Sequence, residues 1–565
     1  MSNKKFVHFF CMVFVAFSFT VLMLVSILES PIYVEWGVVG GALPIELSLS
    51  FQFDKLSMVF FLTVSLISTV VTMYSYEYMK NDKGFNKFIL VLFMFILSML
   101  CLTLSSSMFW VMIGWDGLGI SSFGLIMFYR NWKSFNSALY TMVMNRLGDV
   151  ALIMLIWWAL FYTDSFRFFS SGDSEVAAIL LFLVGSTKSA QIPFSFWLPL
   201  AMSAPTPVSA LVHSSTLVTA GIYLFIRFGE FVFTPLVQLS MLIVSSSTIL
   251  LASTSALYEC DFKKIIALST LSHLGLIVLF ISLGASDIAL IHLVCHAIFK
   301  SMIFMIAGAI IHSNNDVQDI RRILSPTGLS PIICMSLLSS FGGMVGLPFL
   351  SGFYSKDLLI LSIQSLTDSW WGVMVMFLSA SSTVAYSTRV VSLVMKGWLG
   401  DEPPLPSPPE GGEMEKVLLV GTLISVAGGS WTIWLMSELE TNVDYGLASP
   451  ALKLSLLGAL VLGVMVGSNP PRSMQGSLEQ FFSTMWFMNY PFLVIQKIYF
   501  KSVNYSLVEL DKKGFISFLT SSSMSKLMSE MLQTLNGSPS SSFLTGVKLV
   551  LLYSVFLTFL LSVAL

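Results

Sequence analysis

Apolar runs of about twenty residues follow one another along most of the chain, separated by short polar or Pro/Gly-rich connections. Each run is long enough to cross a hydrocarbon layer about 30 Å thick as an α-helix. The pattern predicts about fifteen spans, near 6–28, 56–77, 86–104, 107–129, 135–162, 177–198, 207–228, 234–257, 264–284, 287–311, 329–350, 371–396, 416–436, 451–468 and 546–565. The shorter run 354–364 reads as half of a broken helix. A membrane barrel would show segments of about ten residues with alternating polarity instead. Lys4 and Lys5 precede the first run as in a signal peptide. That run continues from Phe6 to Leu28 with no A-x-A site after it, so a first span is expected. No Arg- and Ser-rich transit peptide precedes it.

Composition supports the same class. Of 565 residues, 55% are hydrophobic and 11% charged, and the mean hydropathy is +0.84. A soluble domain carries about 25% charged residues. The net charge of −2 shows neither a basic patch for nucleic acid nor an acidic tail. Cys11, Cys101, Cys260, Cys295 and Cys334 are scattered, which argues against a disulfide framework and against iron–sulfur ligation. No GxGxxG follows a strand, so no dinucleotide fold is expected.

Three spans carry breakers: Gln191-Ile192-Pro193 with Trp197-Leu198-Pro199, then Pro205-Thr206-Pro207, then Gly342-Gly343 with Gly346-Leu347-Pro348. Broken backbone at membrane depth survives only where protein or water satisfies its freed groups. Paired breaks in two halves suggest inverted repeats with a site near the midplane. Lys188 precedes the first break and Lys356 follows the third. Outside the spans, residues 400–416 are Pro/Gly-rich and read as a stiff exposed loop. Residues 489–535 mix Lys497, Lys501, Glu509, Asp511, Lys512 and Lys513 with apolar side chains, as in an amphipathic segment lying along the membrane or along partner subunits.

Ionisable residues inside the apolar runs are the candidate chemistry. Asp116, Asp149, Lys188, His213, His292, His296, Lys300 and Lys356 lie within or at the ends of spans. A charge at the bilayer centre costs about 2.5–3.5 kcal/mol on insertion scales, so such residues usually line a polar path. His292, His296 and Lys300 recur every four residues and share one helical stripe. A proton wire, a two-histidine metal site and plain interhelical hydrogen bonding all fit that stripe. No third ligand stands nearby to favour metal.

A lysine taken out of water holds its proton less tightly, and an approaching carboxylate tightens the grip. At about 7 Å and an effective dielectric of about 20, that attraction is roughly 2.4 kcal/mol. Asp116, in Gly114-Trp115-Asp116-Gly117, is the natural partner for Lys188. The alternative is a static buried pair. Asp149 has Arg146 three residues away and reads as structural as readily as functional. Lys356 and Asp357 can neutralise each other, although adjacent residues do not share a helix face. His213 stands among hydroxyls, His8 and His312 at span ends, and His273 mid-span without distinguishing context.

Together these motifs resemble the subunit 5 family of proton-pumping NADH:ubiquinone oxidoreductase (respiratory complex I), in its mitochondrially encoded form. The resemblance is carried by Gly114–Gly119, Asn145–Asp149, Lys188–Gln191, Trp197–Pro199, Pro205–Thr216, Asp261–Ile265, His292–Lys300, Gln318–Arg321 and Gly352–Asp357, in order over about 50–390. It implies an all-α polytopic fold of two inverted five-helix repeats with broken helices, flanking spans and a C-terminal lateral helix. The expected division is 1–105 flanking helices, 106–258 and 259–398 the two antiporter-like bundles, 399–488 a loop with further helices, 489–545 the lateral segment and 546–565 a last span. It also implies a proton relay. Asp116 and Lys188 would form the first half-channel, with Asp149 a further acid. His213, His292, His296 and Lys300 would form the centre, and Lys356 with Asp357 the outlet.

NADH, FMN, iron–sulfur clusters and ubiquinone would belong to partner subunits of the inner mitochondrial membrane, leaving this chain without a cofactor or metal. Two departures stand out: Asp116 where relatives usually have glutamate, which keeps the charge on a side chain one methylene shorter, and His273 where they often have glutamine, either an extra titratable site or a neutral replacement. The alternative is the large subunit of a multi-subunit cation/proton antiporter, which shares the bundles but usually adds further domains after them. A structural scaffold would have no use for the buried lysines.

Overall fold

The computed structural model describes residues 13–15, 18, 20–21, 31–39, 47–80, 82, 84–163, 175–229, 234–323, 330–356, 370–397, 412–436, 450–468 and 477–488. A hairpin of β1 (Ile32–Val39) and β2 (Leu47–Phe53) comes first. There follow α1 (Lys55–Tyr78), α2 (Phe85–Leu104), α3 (Met108–Ile126), α4 (Trp132–Thr163), α5 (Glu175–Lys188) and the short α6 (Trp197–Leu200). Next are α7 (Thr206–Arg227), α8 (Pro235–Tyr258), α9 (Phe262–Ser282), α10 (Ser286–Ser313) and α11 (Pro331–Val345). The described residues end with α12 (Trp370–Lys396), α13 (Gly412–Met436), α14 (Pro450–Ser468) and α15 (Ser477–Ser483). Among the described residues, nine helices are long and apolar enough to cross a membrane. The first and last expected spans, the proline-rich loop and the lateral segment lie wholly or mostly outside the described residues.

Hydroxyls make these helices less polar than their sequences suggest. In α1, Thr63, Ser65, Ser68, Thr69, Thr72 and Ser75 each donate to the carbonyl three residues back. A hydroxyl closed on its own helix needs no partner from a neighbour, which keeps it tolerable at membrane depth. The apolar remainder decides which face is covered. The membrane-length windows of α7, α9 and α10 are wholly buried, so these three helices form the centre. By contrast, α2 exposes Leu90, Met94 and Leu97, and α4 exposes Leu147, Val150, Met154 and Trp157. These are faces for lipid or partner subunits.

The breaks fall out as local chemistry. Helix α5 stops at Lys188, and Ala190 takes a positive φ of 57° before Ile192-Pro193, whose peptide is cis. Helix α11 stops at Val345 because Gly346 adopts a φ of 89°, the left-handed region that glycine enters without Cβ strain. The chain is helical again over 351–356. The expected break at Pro205-Thr206-Pro207 does not occur. Proline is tolerated in a first turn, where its missing N–H is not needed, so it starts α7 instead. The distortion moves inward: residues Ser209–Thr216 are π-helical before α-helix resumes at Leu217.

Two features go beyond the sequence reading. The hairpin was not anticipated, although Leu47-Ser48-Leu49-Ser50-Phe51-Gln52-Phe53 alternates as a strand should. Among the described residues, most basic residues also sort by side once the helix ends are placed. Lys80, Lys87, Arg130, Lys133, Lys264, Arg321, Arg322 and Lys396 lie at the ends of the membrane-length helices on one face. Lys55 and Arg227 mark the other, where Arg227 Nη1 meets Asp54 Oδ2 at 2.7 Å.

Candidate functional site

In the first bundle, α3, α4 and α5 meet around Lys188. The Lys188 side chain is fully buried. Its Nζ donates to the Trp115 carbonyl of α3 at 2.8 Å and lies 3.6 Å from the centre of the Trp115 ring. The indole face and the carbonyl thus replace part of the water the ammonium gives up. The i,i+3 pair expected on α4 forms, with Arg146 Nη1 3.1 Å from Asp149 Oδ2. The same nitrogen stands 3.6 Å from Asp116 Oδ1, so one guanidinium joins both carboxylates.

Asp116 therefore does not form a direct ion pair with Lys188, and Arg146 intercepts it. Asp149 is nearly buried (side chain 11% exposed), while Asp116 (31%) and Arg146 (47%) open towards the outer face. Gly148 allows this approach: a Cβ there would sit 2.2 Å from Thr187 Oγ1, beside Lys188. The break after Lys188 is closed by side chains, since Trp197 Nε1 donates to the Thr187 carbonyl at 3.0 Å and Thr248 Oγ1 to Gln191 Oε1 at 2.8 Å.

His213 sits in the π-helical stretch of α7. There Thr216 Oγ1 reaches the Leu211 carbonyl at 2.7 Å, five residues back. The widened turn leaves the buried His213 ring 6.2 Å from the Trp197 ring, and neither of its nitrogens has a protein partner. π-Bulges often mark functional positions in membrane helices and enzymes alike.

The second bundle is built differently. Lys300 Nζ donates to Ser269 Oγ of α9 at 2.6 Å and contacts Met344 Sδ of α11 at 3.0 Å. Lys356 Nζ turns back onto the end of α11, donating to the carbonyls of Met344 at 2.7 Å and Val345 at 3.2 Å. Those carbonyls are free because the helix stops there, and the partial negative charge of a helix C-terminus favours a cation. Met344 thereby touches both lysines, one through sulfur and one through oxygen.

His292 Nδ1 pairs with Ser355 Oγ at 2.9 Å, and His292 Nε2 with His273 Nδ1 at 3.3 Å. The His273 ring stands 5.5 Å from His292 and 5.7 Å from His296. Among the described residues no carboxylate forms an ion pair with either lysine. No group of three or more His, Cys, Asp or Glu converges as metal ligands there either.

The structure therefore gathers Asp116, Asp149 and Lys188 in one group, and His292, His296, Lys300 and Lys356 in another, with His213 on the central helix α7. Asp357 lies outside the described residues. The sequence reading missed the parts that bind across helices: Arg146 as a bridge, Met344 between the lysines, and His273 between His292 and His296. For His273 a signal was present, because it follows Ser269 by four residues and so shares its face of α9.

Lysines at two helix breaks, one buried and one half-buried, with histidines on enclosed central helices, define a membrane subunit of the antiporter type. A family model described as NADH:quinone oxidoreductase/Mrp antiporter, TM, matches residues 105–383, and one described as NADH-Ubiquinone oxidoreductase (complex I), chain 5 N-terminus, matches 39–89. The chain belongs to the NADH-ubiquinone oxidoreductase chain 5 family. It is 36% identical to that chain of Anopheles gambiae over 89% of its own length and 93% of the relative's. It is 38% identical to that of Aedes aegypti, over 85% of each. Among solved structures, the Mrp complex from Dietzia sp. DQ12-45-1b has a chain with a TM-score of 0.73 at 23% identity, covering 97% of this chain and 59% of that one. A membrane-bound sulfane sulfur reductase chain follows at 0.67 and 18%, covering 83% and 94%. These two share the fold.

Proposed function

We propose that this chain carries protons across the inner mitochondrial membrane through a relay of Asp116, Asp149, Lys188, His213, His292, His296, Lys300, Lys356 and Asp357. It works as a membrane-arm subunit of H⁺-translocating NADH:ubiquinone oxidoreductase. Electron transfer from NADH to ubiquinone, with FMN and iron–sulfur clusters, takes place in partner subunits. The observation that carries the reading is the placement of the buried Lys188 and the half-buried Lys356 at two helix breaks, each hydrogen-bonded to backbone carbonyls rather than locked to a carboxylate among the described residues. A lysine held by neutral groups can lose its proton without stranding an opposite charge, which a tight ion pair does not allow.

Charge arrives at the first lysine through Arg146, whose hold on Asp116 and Asp149 sets how strongly those acids draw a proton onto Lys188. The partly exposed Asp116 and Arg146 suit an edge shared with another membrane-arm subunit. The Lys/Arg-rich face is the side from which the chain was inserted, here the matrix. Cation/proton antiport is the rival activity on this fold, but the sequence relatives that span the chain are oxidoreductase subunits.

The test is the ratio of protons moved to NADH oxidised by the intact complex in sealed vesicles. Lys188→Ala and Lys356→Ala each lower it, and Asp116→Asn acts in the same direction. An unchanged ratio in both lysine variants would end the relay reading.

A further inference from the structure

We infer that the hydroxyls of Ser269 on α9 and Thr383 on α12 position the second half's two lysines and serve each of them both with and without its proton. This rests on the proton-translocation reading above. Both residues are buried inside helices, where a Ser or Thr hydroxyl ordinarily bonds back to its own backbone. They do so here. Ser269 Oγ donates to the Ile266 carbonyl at 2.7 Å, and Thr383 Oγ1 to the Ala380 carbonyl at 2.8 Å. Each oxygen then takes a second bond, from a lysine on another element. Lys300 Nζ donates to Ser269 Oγ at 2.6 Å, and Lys356 Nζ to Thr383 Oγ1 at 3.5 Å.

An ammonium group has three N–H bonds to place. Around Lys356 the described acceptors are also three: the Met344 and Val345 carbonyls and the Thr383 hydroxyl. Around Lys300 they are two, Ser269 and the Met344 thioether, and a thioether accepts only weakly.

Once the proton has left, the requirement reverses. A neutral amine presents a lone pair and is satisfied by a donor. Carbonyl oxygen and thioether sulfur have no hydrogen to give. A hydroxyl has one, which becomes available when the O–H turns off its own carbonyl. Among the described partners, Ser269 and Thr383 alone can therefore accept from the ammonium and donate to the amine. Each hydroxyl keeps its own proton throughout, so it positions the lysine and carries nothing. Lys188 bonds to a carbonyl and faces an indole ring, with no hydroxyl among its described partners. The arrangement thus belongs to the second half.

The experiment measures protons moved per NADH oxidised by the assembled complex, with Lys356→Ala as the reference. Ser269→Ala and Thr383→Val remove the oxygen, and valine keeps the shape of threonine. Ser269→Thr and Thr383→Ser keep the hydroxyl and change the bulk. Loss of one hydrogen bond to a charged group shifts an equilibrium by roughly 10-fold or more. Both deletions should lower the ratio, Ser269→Ala further, because Lys300 has fewer partners. Both hydroxyl-keeping variants should stay near the unaltered ratio. A packing role predicts the opposite order at 383, with Thr383→Val normal and Thr383→Ser impaired, and that result overturns the inference. Normal ratios in both deletions beside a low one in Lys356→Ala also overturn it and leave the relay standing. Normal ratios throughout, Lys356→Ala included, overturn the relay itself. The two positions are read separately, so a variant that does not assemble at one leaves the other to decide.

Discussion

The two bundles hold their lysines by opposite means. Around Lys188 the polar groups are charged and of both signs, with Arg146 binding two carboxylates and part of the cluster open to the outside. Around Lys300 and Lys356 the described partners are neutral: hydroxyls, a thioether and backbone carbonyls. In the first half a proton on the lysine is balanced by acids whose strength an arginine controls. In the second, two ammonium groups share Met344 with no acid among the described residues, so charging either one opposes charging the other. One fold thus supports a site tuned by counter-charge and a site tuned by mutual repulsion.

Substituting the close-approach glycines probes the two frameworks with the same chemical change. A Cβ on Gly352 would fall 1.8 Å from the Gly343 carbonyl oxygen, a backbone atom. Gly352→Ala should therefore prevent assembly, beyond the roughly 1–3 kcal/mol usual for overpacking. On Gly148 the obstacle is the Thr187 hydroxyl, which can turn away. Gly148→Ala should assemble with a loss of about 1 kcal/mol. Native gels and thermal melting of the complex rank the pair, and equal behaviour would remove the contrast.

A smaller effect is expected from Arg146→Gln. It frees Asp116 and Asp149 to act on Lys188, so proton release there slows. Stability falls by only about 1 kcal/mol, because the guanidinium is half exposed. Turnover against a proton gradient should drop while the melting temperature barely moves. The reverse outcome would make the triad structural. Among the described residues, the second half offers no equivalent substitution.

The smallest effect belongs to the loop beside the second half, where Asp319 accepts from Arg321 Nε at 3.1 Å and Nη2 at 2.8 Å. Hydrogen bonds from Arg321 hold its carboxyl below the usual carboxylate range. The stabilisation is present above the unfolded value near 3.9 and is lost as pH falls through the lower folded value. Asp319→Asn should then cost about 0.5 kcal/mol or less at neutral pH, given the exposure, and nothing in strong acid. Melting curves at both pH values check the sign.

Much of this was legible in the residues. Helix positions followed from apolar length, and the stops at Lys188 and Val345 from glycine and proline nearby. The His292–His296–Lys300 stripe followed from its spacing. What sequence could not supply was apposition between helices far apart in the chain. Arg146 reaching Asp116, and Met344 lying between Lys300 and Lys356, depend on how α3 meets α4 and α10 meets α11. Proline before α7 misled because its effect depends on place in the helix: harmful inside, harmless in the first turn. The hairpin went unread although its alternation is plain.

The self-bonded hydroxyls of α1 have a further consequence. Since Thr63, Ser65, Ser68 and Ser75 are each satisfied by their own backbone, their exchange for alanine or valine strands no atom elsewhere, and such positions are free to drift. Ser269 and Ser355 serve a neighbour as well as their own helix, and the same exchange would orphan a lysine or a histidine. Identical side chains in different helices therefore carry very different mutational tolerance, and a hydropathy plot cannot tell them apart.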